Sequence, residues 1–120
     1  MRSVLEEKSF IFAIRIVNLN RYLFDVKHEY TISKQLLRSG TSIGANISEA
    51  QFAQSKGDFG SKMQIALKEA NETRYWIRLL AATDYLSLIE SESLISDCNE
   101  LISLLTSTCK TVLPRNYEEK

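Results

Sequence analysis

Apolar residues recur along this chain at spacings of three, four and seven, and no segment alternates with period two. That rhythm predicts amphipathic helices throughout. In the first, Leu5, Phe12, Ile16, Leu19, Leu23 and Val26 form one face of a helix over about 4–28. Ser3 and Glu6 stand where a capping box would open it. The second, about 32–54, turns Ile32, Leu36, Ile43, Ile47 and Ala50 inward. In the third, about 57–84, Phe59, Met63, Ala66, Ala70, Thr73, Ile77 and Leu80 keep an unbroken 4-3 alternation behind a second box at Ser55 and Asp58. The fourth, about 88–113, begins near Ser87 and Glu90 and carries Leu94, Cys98, Leu101, Leu105, Thr108 and Val112 to Pro114. Residues 114–120 read as a frayed tail.

Long helices of similar length joined by short connections fold as antiparallel neighbours. The fold class is therefore all-α: an antiparallel up-down four-helix bundle, with residues 1–120 as one domain.

Two helices carry more apolar surface than one core needs. Phe10, Ile14, Val17 and Phe24 fall almost opposite the first stripe of helix 1. Ile65, Trp76 and Leu79 do the same on helix 3. Large apolar patches are uncommon on monomers, so these second faces predict self-association through helices 1 and 3. Helix 2 has a different oddity. Gln35, Arg38, Ser42, Asn46 and Glu49 line one flank of its core face, with Gly40 and Gly44 close by. A polar stripe beside a core can fix helix register or partner geometry, and its other use is ligand recognition.

Composition changes the picture little. Four Gly and one Pro leave few breakers in 120 residues, in keeping with long helices. Fifteen basic and fifteen acidic side chains give no net charge, unlike a protein built to coat nucleic acid. The balance is uneven, however: residues 1–83 hold 12 basic and 8 acidic groups, and residues 84–120 hold 3 and 7. Lys34 with Arg38, and Arg74 with Arg78, form basic i,i+4 pairs and are the candidate nucleic-acid contacts. The competing reading is a solvated surface ion-paired to Glu49, Glu69 and Glu72.

Chemistry is harder to find. A di-iron bundle needs two Glu-x-x-His motifs, and His28 is the only histidine. Cys98 and Cys109 lie about three turns apart, too far for a disulfide within one helix, and read as small core residues. No phosphate loop, dinucleotide fingerprint or nucleophile–base arrangement is present. The expectation is no catalysis, no metal and no cofactor. With neither an export signal nor a long apolar run, the chain reads as cytoplasmic, without a membrane partner.

The run Gln35-Leu-Leu-Arg38-Ser-Gly-Thr-Ser42-Ile-Gly-Ala-Asn46-Ile-Ser-Glu49-Ala resembles the signature of the bacterial four helix bundle proteins, or 23S rRNA intervening-sequence proteins. Ile65-Ala-Leu-Lys-Glu-Ala-Asn-Glu72-Thr-Arg-Tyr-Trp76 resembles that family's third helix, and Ala50 is one departure, since many members have Gly there. The resemblance covers essentially the whole chain. It implies a ring-like homopentamer of up-down bundles with no known enzymatic activity. It also implies kinship to the accessory variability protein of diversity-generating retroelements, which is linked to nucleic acid and reverse transcriptase. From these readings Arg38, Ser42, Asn46, Glu49 and Glu72 are expected to form one polar network organising helix or subunit contacts. The alternative is a nucleic-acid-binding accessory factor.

Overall fold

The computed structural model describes residues 3–112 and forms four helices: α1 (Val4–Asp25), α2 (Ile32–Ala50), α3 (Lys56–Ala82) and α4 (Leu88–Val112). There is no strand among the described residues. The expected tail at 114–120 lies outside them.

Side chains at the helix starts satisfy amides that have no partner within the helix. At α1 the capping box closes in both directions: Ser3 Oγ accepts from the Glu6 amide, and Glu6 Oε1 from the Ser3 amide, each at 3.1 Å. At α3 only half of the expected box forms. Ser55 Oγ accepts from the Asp58 amide at 3.0 Å, while the Asp58 carboxylate takes the Gln54 amide instead, at 3.2 Å. Ser87 caps α4 by accepting from the Glu90 amide at 3.1 Å. The start of α2 uses a residue that periodicity did not single out. The Glu29 carboxylate, only 8% exposed, accepts from the amides of Thr31, Ile32 and Ser33 at 3.3, 3.1 and 2.7 Å.

Three helices stop short of their expected ends. α1 ends at Asp25, because His28 takes a left-handed φ of 56° and the Glu29 amide folds back to the Leu23 carbonyl at 2.9 Å. Val26, expected in the core, is consequently 59% exposed. α2 ends at Ala50, where the amides of Gln51, Phe52 and Ala53 tighten to carbonyls three residues back. α3 closes through Asp84, at φ 68°: the Tyr85 amide reaches the Leu80 carbonyl and the Asp84 amide the Ala81 carbonyl, while Tyr85 packs on the core. That is the Schellman pattern, with aspartate where glycine is usual.

Consecutive helices pack side by side, and the backbones of the diagonal pairs stay apart among the described residues. Residue numbers fall along one helix as they rise along its neighbour. Asn20 donates to the Ser33 carbonyl at 3.0 Å, Gly40 lies over Ile16, and Gly44 lies over Ser9. Across α2 and α3, Thr73 meets Ser39 at 3.0 Å and Lys62 meets Glu49 at 3.2 Å. Gly40 is where this packing needs glycine, since a Cβ there would stand 2.8 Å from two carbons of Ile16.

The single core holds most of the expected positions: Leu5, Phe12, Ile16, Leu19 and Leu23; Leu36, Ile43, Ile47 and Ala50; Met63, Ala66, Ala70, Thr73, Ile77 and Leu80; Leu94, Cys98, Leu101 and Leu105. Ile32 and Phe59 are half-buried against it. At the end of α4 the register differs by one residue. Cys109 enters the core, and Thr108 turns its hydroxyl to the Leu104 carbonyl at 2.9 Å. Both positions fit a helical step from Leu105, and the less polar side chain is the one buried.

Candidate functional site

The most connected polar cluster lies on the seam between α2 and α3, with Arg38 as its hub. Its guanidinium donates to Glu69 Oε1 at 3.3 Å, to Glu72 Oε2, and to Gln35 Oε1 at 3.3 Å. Glu72 Oε2 also accepts from Trp76 Nε1 at 3.0 Å. A planar guanidinium reaching two carboxylates one turn apart ties two helices together in one orientation. Beneath it the Thr73 and Ser39 hydroxyls pair in the core, and Thr73 Oγ1 also meets the Glu69 carbonyl at 2.7 Å.

The expected five-residue network is only partly assembled. Arg38 and Glu72 meet directly. Ser42 and Asn46 instead bond back along α2, to the carbonyls of Arg38 (2.6 Å) and Ser42 (2.8 Å). Glu49 pairs separately with Lys62. The stripe is thus three local arrangements on one flank rather than one network. Glu69 and Gln35 belong to the hub, and the signal for Glu69 was present as a carboxylate three residues before Glu72.

The second apolar sets are partly outside. Phe10, Ile14 and Phe24 on α1 are each about half exposed, as is Ile65 on α3, to a lesser degree. Val17 and Leu79 are half-buried. Trp76 does not stand opposite the core as expected; it packs on the core's edge, held toward α2 by Glu72. Phe10 borders a cavity of about 410 Å³ between α1 and α2, floored by the small residues Ala13, Gly44, Ala45 and Ser48.

The four candidate nucleic-acid contacts do not share a surface role. Arg38 is committed to Glu69 and Glu72, and Arg74 donates to Asn99 (2.7 Å) and Asn71 (3.0 Å). Lys34 and Arg78 are exposed.

No group of three or more His, Cys, Asp or Glu able to hold a metal ion occurs among the described residues. His28 sits in the α1–α2 connection with Nδ1 3.0 Å from the Tyr30 hydroxyl. Burial pushes the Cys98 thiol up to about 12, against the pull of the nearby Arg74 charge, and its Sγ lies 3.2 Å from the Ala70 carbonyl. Burial raises Cys109 as well. A thiol held neutral and facing a core is a poor nucleophile. No helix among the described residues is long and apolar enough to cross a membrane.

Residues 3–107 match the family model of the 23S rRNA-intervening sequence protein. Among solved structures, the chain is similar to a protein of unknown function from the S23 ribosomal protein family of Bacteroides thetaiotaomicron VPI-5482, whose crystal structure is at 1.70 Å resolution. The two are 53% identical and superpose with a TM-score of 0.88, over 89% of this chain and 99% of that one. No curated protein matches. The matched span takes in all of α1, α2 and α3 and most of α4, and the chain belongs to the 23S rRNA-intervening sequence protein family.

Proposed function

We propose that this protein is a non-catalytic, cytoplasmic homo-oligomer, pentameric as the family resemblance implies, that serves as an assembly or interaction module. The observation that carries this reading is the outward apolar surface of Ile14 and Phe24 on α1 and Ile65 on α3, together with Phe10. Each of these side chains gains on the order of 1 kcal/mol when a second copy takes it out of water. The Arg38 hub fits the same role. It fixes how α2 and α3 lie together, and so fixes the surface that a neighbour would meet.

The side chains with reactive groups are placed for structure rather than chemistry. His28 is paired with Tyr30 in a loop, both thiols are buried, and Glu69 and Glu72 are both paired with Arg38. The nucleic-acid reading is weakened by the same geometry, since two of its four basic residues are already engaged.

Size-exclusion chromatography with light scattering tests the proposal, with absorbance recorded at 260 and 280 nm on the same peak. The expected mass is about five times the 13.7 kDa chain, with a protein-like absorbance ratio. A mass of one chain at all concentrations would overturn it. A high 260/280 ratio that disappears in high salt would replace it with the nucleic-acid reading.

A further inference from the structure

We propose that the bundle has a built-in opening at the seam between its first and last helices, and that Arg15 is the latch that holds it shut. Four observations converge there. The helices α1 and α4 approach each other far less than any other neighbouring pair. Two cavities lie along their seam, on either side of Arg15. One, of about 300 Å³, is lined by Asn18, Leu19, Tyr22, Glu90 and Leu94, with Arg15 at its edge. The other, of about 130 Å³, lies between Lys8, Ile11 and Phe12 of α1 and Asp97, Glu100 and Leu101 of α4. Leu19, Leu94, Phe12 and Leu101 are core side chains, so the core is reached from this seam.

What spans the gap is polar and half in water. Arg15 Nη1 pairs with Asp97 Oδ2 at 2.7 Å, and Nη2 donates to Ser93 Oγ at 3.1 Å. Lys8 meets Glu100 at 3.1 Å. Groups this exposed exchange their partners for water at little cost, and salt weakens them further. The other three seams are each tied by a connecting loop of five or six residues, while none joins α1 to α4. Opening here breaks exposed ion pairs and uncovers Phe12, Leu19, Leu94 and Leu101, but it pulls on no connecting loop. It uncovers the inner face of α4 while α2 and α3 stay packed.

Cys98 faces Ala70 of α3, so the reporters are thiols set in the seam cavities themselves: Leu94→Cys or Leu101→Cys, each in a chain with Cys98→Ala and Cys109→Ala. The test is the rate at which a chromogenic disulfide reagent labels them in the folded full-length chain, read beside the urea midpoint of each variant. Arg15→Ala is expected to speed labelling about twofold to fivefold and to lower the urea midpoint only by the matching amount. High salt should speed the wild type more than Arg15→Ala, in which only Lys8–Glu100 is left to screen. Lys62→Ala removes an ion pair from the well-packed α2–α3 seam and should label at the wild-type rate. Equal rates for Arg15→Ala and wild type would overturn the proposal. So would equal acceleration by Lys62→Ala, since the opening would then be global. None of these outcomes bears on oligomer mass, so the latch and the assembly reading stand or fall separately.

Discussion

The α2–α3 and α1–α4 seams carry the same kinds of ion pair and yet hold the molecule together in different ways. Across α2–α3, Arg38–Glu69, Arg38–Glu72 and Lys62–Glu49 lie over a seam already closed by core residues and by the buried Ser39–Thr73 pair. Across α1–α4, Arg15–Asp97 and Lys8–Glu100 span a gap flanked by cavities. An exposed ion pair adds at most about 1 kcal/mol wherever it sits. The difference lies beneath it: over a closely packed seam it orients, and over a sparsely packed one it is a larger share of what holds the helices together.

The largest expected contrast comes from trimming one side chain in the packed core and one over the α1–α4 seam. Ile43→Ala, at a fully buried position, should cost about 2–5 kcal/mol by urea unfolding, and Ile11→Ala, which is half exposed, less than about 0.5 kcal/mol. Comparable losses would erase the distinction. The α1–α2 seam should fall between them and depend on position. Gly40→Ala drives a methyl into Ile16, which has no room to withdraw, and should destabilise by about 1–3 kcal/mol. At Gly44 the nearest atoms are 3.4 Å away, so Gly44→Ala should be neutral or gain up to about 1 kcal/mol from helix propensity. Thermal melts of the two variants would separate them. Polar pairs sharpen the same point: Thr73→Val leaves the buried Ser39 hydroxyl only its long bond to the Leu36 carbonyl (3.4 Å) and should cost about 1 kcal/mol, whereas Ser93→Ala at the open seam should cost a few tenths.

The smallest effect is one of pH. Cys98 faces Ala70 of α3, where burial pushes its thiol up to about 12 from an ordinary 9.0. The folded chain therefore keeps a proton that the unfolded chain releases. Stability from this group is fully present below about pH 9 and is lost as pH rises toward about 12. Between about pH 9 and 10 the loss is on the order of 1 kcal/mol at most, and it should be absent in Cys98→Ala. Urea midpoints of both proteins at the two pH values check the sign.

Much of this was legible in the amino-acid order, because a core stripe is a one-dimensional signal. The heptad-like spacings located the core on all four helices and failed where the chain leaves the helix. Val26 continues the rhythm of α1, but His28 enters left-handed backbone and ends the helix before Val26 can turn inward. Thr108 and Cys109 both fit a helical spacing from Leu105, and packing chose the less polar one. Glu29 went unseen because a carboxylate that caps from three residues ahead of the helix, through a bend, leaves no periodic trace. The polar stripe of α2 was visible as a stripe, though spacing could not tell which members reach α3. Arg38 is long enough to do so; Ser42 and Asn46 are short and bond their own helix. The uneven closure of the seams was not legible at all, since it depends on distances between α1 and α4, which lie furthest apart in the chain.

The central claim is that outward apolar residues of α1 and α3 hold copies of the chain together. Its most direct test is sedimentation equilibrium of wild type, Ile14→Asp and Ile65→Asp at matched concentrations, with helix content read by circular dichroism. Both residues are already partly in water, so a charge there should leave the fold intact. The account predicts a multimeric wild type and variants that keep their helix content while dropping toward 13.7 kDa. Variants that retain the wild-type mass would contradict it.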